Sequence, residues 1–114
     1  MNLNEYQAKS AATAVYPGGW PAIFYCTLGL CGESGEVAEK VKKVLRDGSG
    51  SFSDATTAKD AIKLELGDVL WYLSQLATEL GLTLEEVAEA NLQKPQSRQQ
   101  RGKPGGSGDE RWRY

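Results

Sequence analysis

The chain contains no histidine. That absence excludes serine–histidine triads, histidine zinc sites and imidazole acid–base chemistry. Cysteine is scarce, with only Cys26 and Cys31 present. Five residues apart on a helix, they point about 140° from one another at roughly 100° per residue, and so do not bridge each other. They read as small buried thiols in a reducing compartment. There is no run of about 18 apolar residues to span a membrane. The opening "MNLNEYQAKS" lacks the basic-then-apolar order of a signal peptide. A cytoplasmic location is expected. An excess of charge is also missing: the net value of -2 gives no overall pull toward a nucleic-acid polymer or an anionic membrane. With histidine absent, a bound metal must take oxygen ligands, which means a hard ion such as Mg²⁺ or Mn²⁺.

What is present is helical. The 114 residues suit one domain with a modest core, and no strand alternation interrupts them. A first helix is expected over residues 3–15, stopped by "YPGGWP" at 16–21. A second runs from about Ile23 to Leu45, with Lys42, Lys43 and Arg46 favouring its C-terminal end. A loop follows over 47–55, where Gly48 is a natural C-cap. Thr57 and Asp60 signal the start of a third helix, to Leu80, and Gly81 ends it. Thr83 and Glu86 form a capping box for a fourth, which Pro95 interrupts or ends. The fold class is all-α, an antiparallel four-helix bundle. Residues 1–101 make the domain, and 102–114 make a Gly/Pro-rich basic tail. From Gln93 onward six basic residues face two acids, a net +4 against -6 for the rest. That tail is either solvated and flexible or a flap over an anionic substrate.

Acids sit inside the most apolar helices. On the third helix Ile62, Leu66, Val69, Leu73, Leu76 and Leu80 step by four and three, the pattern of a buried seam. Glu65, Asp68 and Tyr72 lie beside that seam, and Leu64 and Trp71 bracket them on the far side. On the second helix the seam is Ile23, Cys26, Leu30, Val37, Val41 and Val44, with Glu33 and Glu36 at its edge. Antiparallel packing lets the two acidic edges meet. Four clustered carboxylates repel one another unless a cation sits between them, which is the metal-site reading. The competing reading is ordinary helix-surface charge, with Glu36–Lys40 and Glu39–Lys43 as i, i+4 pairs. Gly32, Gly35 and Gly67 weaken these helices by about 1 kcal/mol each against alanine. Gly35 is expected to make room at the packed edge.

The stretches "GESGEVAEKVKK" and "LELGDVLWYLSQLATELG" resemble the MazG-like nucleoside triphosphate pyrophosphohydrolases, an all-α family with an EExxE…ExxD signature. Glu33 and Glu36 match the end of the first element, and Glu65 and Asp68 match the second. Gly32 stands where the family has another Glu, so that position has no ligand to offer. The resemblance implies that Glu33, Glu36, Glu65 and Asp68 hold Mg²⁺, with Mn²⁺ able to substitute. It implies cleavage of a nucleoside triphosphate between the α- and β-phosphates, and Glu36 or Glu33 as the catalytic carboxylate. The family's N-x-x-K element is matched by Asn91 and Lys94, with Arg98 following, as phosphate contacts; Arg101 and Arg111 are weaker candidates. Trp20, Phe24, Tyr25, Trp71 and Tyr72 are available for stacking, Trp71 and Tyr72 nearest the acids; the alternative is core or subunit interface. Similarity to small phage-type members, the MazZ-type among them, implies a homodimer or homotetramer and favours dGTP. Two other readings are a dUTP- or phosphoribosyl-ATP-type phosphohydrolase, and a non-catalytic helical oligomer whose basic tail binds nucleic acid or protein.

Overall fold

The computed structural model describes residues 1–47 and 56–100, without the side chains of 56, 57 and 96–100. The described residues form four helices and no strand: α1 Leu3–Ala11, α2 Pro21–Arg46, α3 Thr56–Glu79 and α4 Leu84–Gln100. The expected all-α architecture is therefore met. The expected loop cap Gly48, the 102–114 tail, Arg101 and Arg111 lie outside the described residues, as does the side chain of Thr57.

Local chemistry sets the helix ends. Asn2 caps α1, its Oδ1 accepting from the Glu5 N–H at 2.8 Å. That helix stops four residues short of the expected Val15. The Thr13 hydroxyl and N–H both turn back onto the Ser10 carbonyl, at 2.7 and 3.0 Å, and close the chain into a turn. Conversely, α2 starts two residues earlier than expected. Pro21 occupies its first turn, where a missing N–H leaves nothing unpaired. Gly19, at φ +76, supplies the left-handed step that leads into it.

A Schellman closure ends α3. Gly81 takes φ +73, Leu82 N–H reaches the Ala77 carbonyl at 2.8 Å, and Gly81 N–H reaches Thr78 at 3.0 Å. The capping box of α4 forms as expected, with Thr83 N–H on Glu86 at 2.6 Å and Glu86 N–H on the Thr83 hydroxyl at 3.1 Å. Pro95 does not end α4, which continues to Gln100. The carbonyl that Pro95 leaves without a helix partner belongs to Asn91, and both residues are exposed, so water can take its place.

α2 and α3 form an antiparallel hairpin: Gly29 lies against Tyr72, and further along α2 Lys40 pairs with Glu65. α1 lies across α3, and among the described residues α4 packs on α1 and α3 but not on α2. The α1–α3 joint is polar. The Ser10 hydroxyl shares a 3.0 Å bond with the Ser74 hydroxyl and accepts from Gln75 Nε2 at 3.0 Å, and it donates to the Gln7 carbonyl at 3.0 Å. Gln75 is only 1% exposed. Gln7 and Asn4 then hold the start of α4, accepting from the N–H groups of Leu84 at 2.8 Å and Glu85 at 3.3 Å. No buried side-chain polar atom among the described residues lacks a partner.

The apolar seam expected on α3 is only partly covered. Ile62, Val69, Leu73 and Leu76 are half-buried, while Leu66 and Leu80 are each 52% exposed; the most buried positions of the helix, Ser74, Gln75 and Ala77, lie outside that seam. The physical reason is that α1 seats on α3 through polar side chains, so the deepest burial falls at Ser74 and Gln75 and not on the apolar seam. On α2, Cys26 and Val44 of the expected seam are buried, but Trp20, Phe24, Leu28 and Leu45 face outward. Both cysteines are free, as expected, although Cys31 is exposed rather than buried. No helix among the described residues is long and apolar enough to cross a membrane.

Candidate active site

Helical periodicity brings carboxylates from two helices to one place. Glu33 on α2 and Glu65 and Asp68 on α3 each offer an oxygen, and these three atoms lie within 4.8 Å of one another. Glu33 and Glu65 are half-buried and Asp68 is exposed. Glu36, one turn further along α2, stands exposed outside that trio. Its charge still reaches Glu33. Desolvation raises the Glu33 pKa above the usual carboxylate range, and the charges of Asp68, Glu65 and Glu36 raise it further.

Among the described residues Lys40 approaches the cluster. Lys40 Nζ lies 4.0 Å from Glu65 Oε1, across the helix pair. The expected Glu36–Lys40 pair is thus replaced by an inter-helix one. Likewise Glu39 pairs with Lys42 at 3.1 Å, three residues on rather than four. On the other side α1 contributes Tyr6, whose hydroxyl pKa is raised by burial and by the Asp68 charge. Nothing in the chain between them indicates that Tyr6 feels the Asp68 charge.

An aromatic cluster adjoins the acids. Trp71 meets Tyr72 edge-on at 5.0 Å and Tyr16 edge-on at 6.2 Å. Tyr16 stacks on Tyr25 at 5.5 Å, and Tyr25 lies 6.3 Å from Tyr72. The Trp71 indole N–H donates to the Thr13 hydroxyl at 2.9 Å, and the Tyr16 hydroxyl donates to Glu79 at 2.6 Å. Burial raises the Tyr16 pKa, and the bond to Glu79 raises it further. The Tyr72 pKa is raised by burial first and by its bond to Tyr25 second. Trp20 and Phe24 pair with each other at 5.7 Å, away from this cluster and exposed.

The expected room at Gly35 is not needed in the described structure. A Cβ at Gly32, Gly35 or Gly67 would meet nothing within 4 Å. The close approach falls instead at Gly29, where a Cβ would overlap the Tyr72 ring. A glycine in the interior of α2, four residues before Glu33, was the available signal for it.

The other candidates are on α4 or beyond. Asn91 is exposed and Lys94 half-buried, on a helix that does not pack on α2 among the described residues. The side chain of Arg98 and the whole of Arg111 fall outside the described residues.

The donor set suits a hard divalent ion. It is all oxygen, drawn from two helices, and its charges destabilise one another in the absence of a cation. Oxygens on opposite sides of a Mg²⁺ ion are about 4 Å apart, so a 4.8 Å spread needs only small side-chain adjustments. The model of the MazG nucleotide pyrophosphohydrolase domain matches residues 25–102. The chain belongs to the MazG family. Its nucleotide pyrophosphohydrolase domain takes in all four acids, Gly29 and the described part of α4. A relative from Mycobacterium phage L5, the Gene 37 protein, is 45% identical over 116 residues, covering 97% of this chain and 100% of its own length. No solved structure matches. α1 lies outside the MazG match, yet the Asp68 charge reaches its Tyr6.

Proposed function

We propose that this MazG protein is a Mg²⁺-dependent nucleoside triphosphate pyrophosphohydrolase, releasing a nucleoside monophosphate and pyrophosphate, with dGTP preferred among the nucleotides. The observation that carries the reading is the convergence of Glu33, Glu65 and Asp68 oxygens from two helices within a MazG domain. Glu33, Glu65 and Asp68 would hold the ion, with Glu36 as a fourth ligand or, turned to solvent, as the group that orients and deprotonates the attacking water. Bound there, a divalent ion supplies charge neutralisation to the phosphates and acidifies a nearby water. Tyr72 and Trp71 border the acids on the side where a sugar or base would lie. Asn91, Lys94, Arg98 and Arg111 would meet phosphate charge that the metal leaves over.

These last groups fit the reading better in an oligomer. Because, among the described residues, α4 does not pack on α2, its basic end reaches the α2 acids most simply from a neighbouring copy. Trp20, Phe24 and Leu28 recur at intervals of four on the outer face of α2, and Leu28 is 72% exposed. A second copy of the chain, in a homodimer or homotetramer, is the occupant that uses this face in every molecule. Light scattering is expected to give a multiple of 12.4 kDa for the native protein. Leu28→Glu should shift it to the monomer mass, because a charge buried in such a face has no partner. A monomeric native protein removes this part of the reading.

The reaction itself is tested by product identity. Purified protein with Mg²⁺ and each of the eight common NTPs and dNTPs is expected to yield monophosphate and pyrophosphate, fastest from dGTP. Diphosphate with inorganic phosphate as products would contradict cleavage between the α- and β-phosphates. Faster turnover of another nucleotide would remove the dGTP preference alone.

A further inference from the structure

We infer that Gly29 is a positioning residue for the carboxylate cluster, acting through the Tyr72 ring that lies on it. Gly29 is one helical turn before Glu33 on α2, and Tyr72 is one turn after Asp68 on α3. In an antiparallel pair these two contacts are neighbours. The separation of the helices at Gly29 and Tyr72 therefore governs their separation at Glu33 and Asp68. A Cβ on Gly29 would overlap the Tyr72 ring, whereas a Cβ at Gly32, Gly35 or Gly67 would meet nothing within 4 Å. The requirement for glycine by close packing is confined to this one position of the four.

The ring has little freedom to yield. Trp71 stands edge-on against it at 5.0 Å, Tyr25 lies at 6.3 Å, and the indole of Trp71 is itself tied to Thr13. A methyl at position 29 must then push α2 from α3 or turn the ring out of the aromatic cluster. Either movement changes the spacing of Glu33 from Asp68. Ligand oxygens around a small divalent ion tolerate little such change, because the ion demands near-ideal octahedral geometry. Helix propensity alone predicts the opposite, since alanine is favoured over glycine in a helix interior by about 1 kcal/mol.

The inference rests on the metal reading above, and the wild-type protein tests that reading separately. Mn²⁺ affinity is measured by calorimetry on full-length wild type, Gly29→Ala, Gly32→Ala, Tyr72→Leu and the double variant Gly29→Ala/Tyr72→Leu. Gly29→Ala is expected to weaken Mn²⁺ binding about tenfold or more, as overpacking a close contact does. Gly32→Ala should stay within about twofold of wild type, as a surface substitution does. With the ring removed, the added methyl should no longer matter, so the double variant should bind like Tyr72→Leu. Unchanged binding in Gly29→Ala overturns the inference. So does an equal loss with and without the ring. If Gly29→Ala fails to fold, a folded double variant matching Tyr72→Leu supports the inference, and an unfolded one overturns it. A wild type that binds no Mn²⁺ overturns the metal reading and the inference with it.

Discussion

Glu33→Gln is expected to lower Mg²⁺-dependent hydrolysis about a thousandfold, roughly 4 kcal/mol of transition-state stabilisation, while making the metal-free protein more stable. The two effects have one cause. Glu33 is half-buried among Asp68, Glu65 and Glu36, and both desolvation and those charges raise its pKa in the folded state. A carboxyl whose folded pKa is raised favours folding while it is protonated. That contribution is complete below the unfolded pKa and is lost as pH rises through the folded one. The stability that Glu33 contributes to metal-free wild type should therefore be lost as pH rises from below the ordinary carboxylate range to neutrality, and comparison with the Gln variant isolates it from groups such as Glu39, whose pKa Lys42 lowers. The Gln variant, carrying no charge at this position, should lose less. Added Mg²⁺ should raise the wild-type melting temperature at neutral pH by binding only the folded state, and raise that of the variant far less. Thermal melts at pH 4 and pH 7.5, with EDTA or with Mg²⁺, measure all of this. Full activity in the variant, or a lower melting point than wild type in EDTA at neutral pH, would remove Glu33 from the role given to it.

Gln75→Ala is expected to destabilise the protein by about 2 kcal/mol, lowering its melting temperature on the order of 10 °C. Gln75 is among the largest fully buried side chains, and its Nε2 donates to Ser10 at the joint of α1 and α3. Removing it leaves a hole and a hydroxyl with one partner fewer. The consequences extend beyond the joint, because α1 carries Asn4 and Gln7 to the start of α4, and Tyr6 to the neighbourhood of Asp68. Combining Gln75→Leu with Ser10→Ala and Ser74→Ala should recover part of the loss, since the Ser74 hydroxyl that shares a bond with Ser10 is then removed along with its partners. Urea denaturation reads both variants. A change under about 0.5 kcal/mol for Gln75→Ala would mean that this polar joint does not hold α1 in place.

Much of this molecule is legible along the chain because its causes are local. The capping box at Thr83 and Glu86 is spelled out within four residues, and the Gly81 stop within one. Glu33, Glu65 and Asp68 could be paired in advance because antiparallel helices of known period bring their acidic edges together. Where local signals compete, the outcome was less readable. Pro21 and Pro95 are the same residue type, yet one opens a helix and the other sits inside one. A turn at Thr13 shortens α1 through a hydroxyl that could equally have faced water.

The long-range choices were of another kind. Lys40 turns to Glu65 rather than Glu36 because the facing helix offers an acid at a similar reach. Ser10 meets Ser74 and Gln75 across more than sixty residues of chain, and no periodicity marks a serine as the hub of a core. Nor does the spacing of glycines separate Gly29, which a tyrosine ring covers, from Gly32 and Gly35, which nothing covers. Helix identity, the acidic edges and the all-oxygen character of the cluster followed from residue type and period alone. Which glycine a ring covers, which tyrosine feels the Asp68 charge and how α1 is seated depended on the separation and orientation of whole helices. Those are settled only when distant side chains compete for the same space.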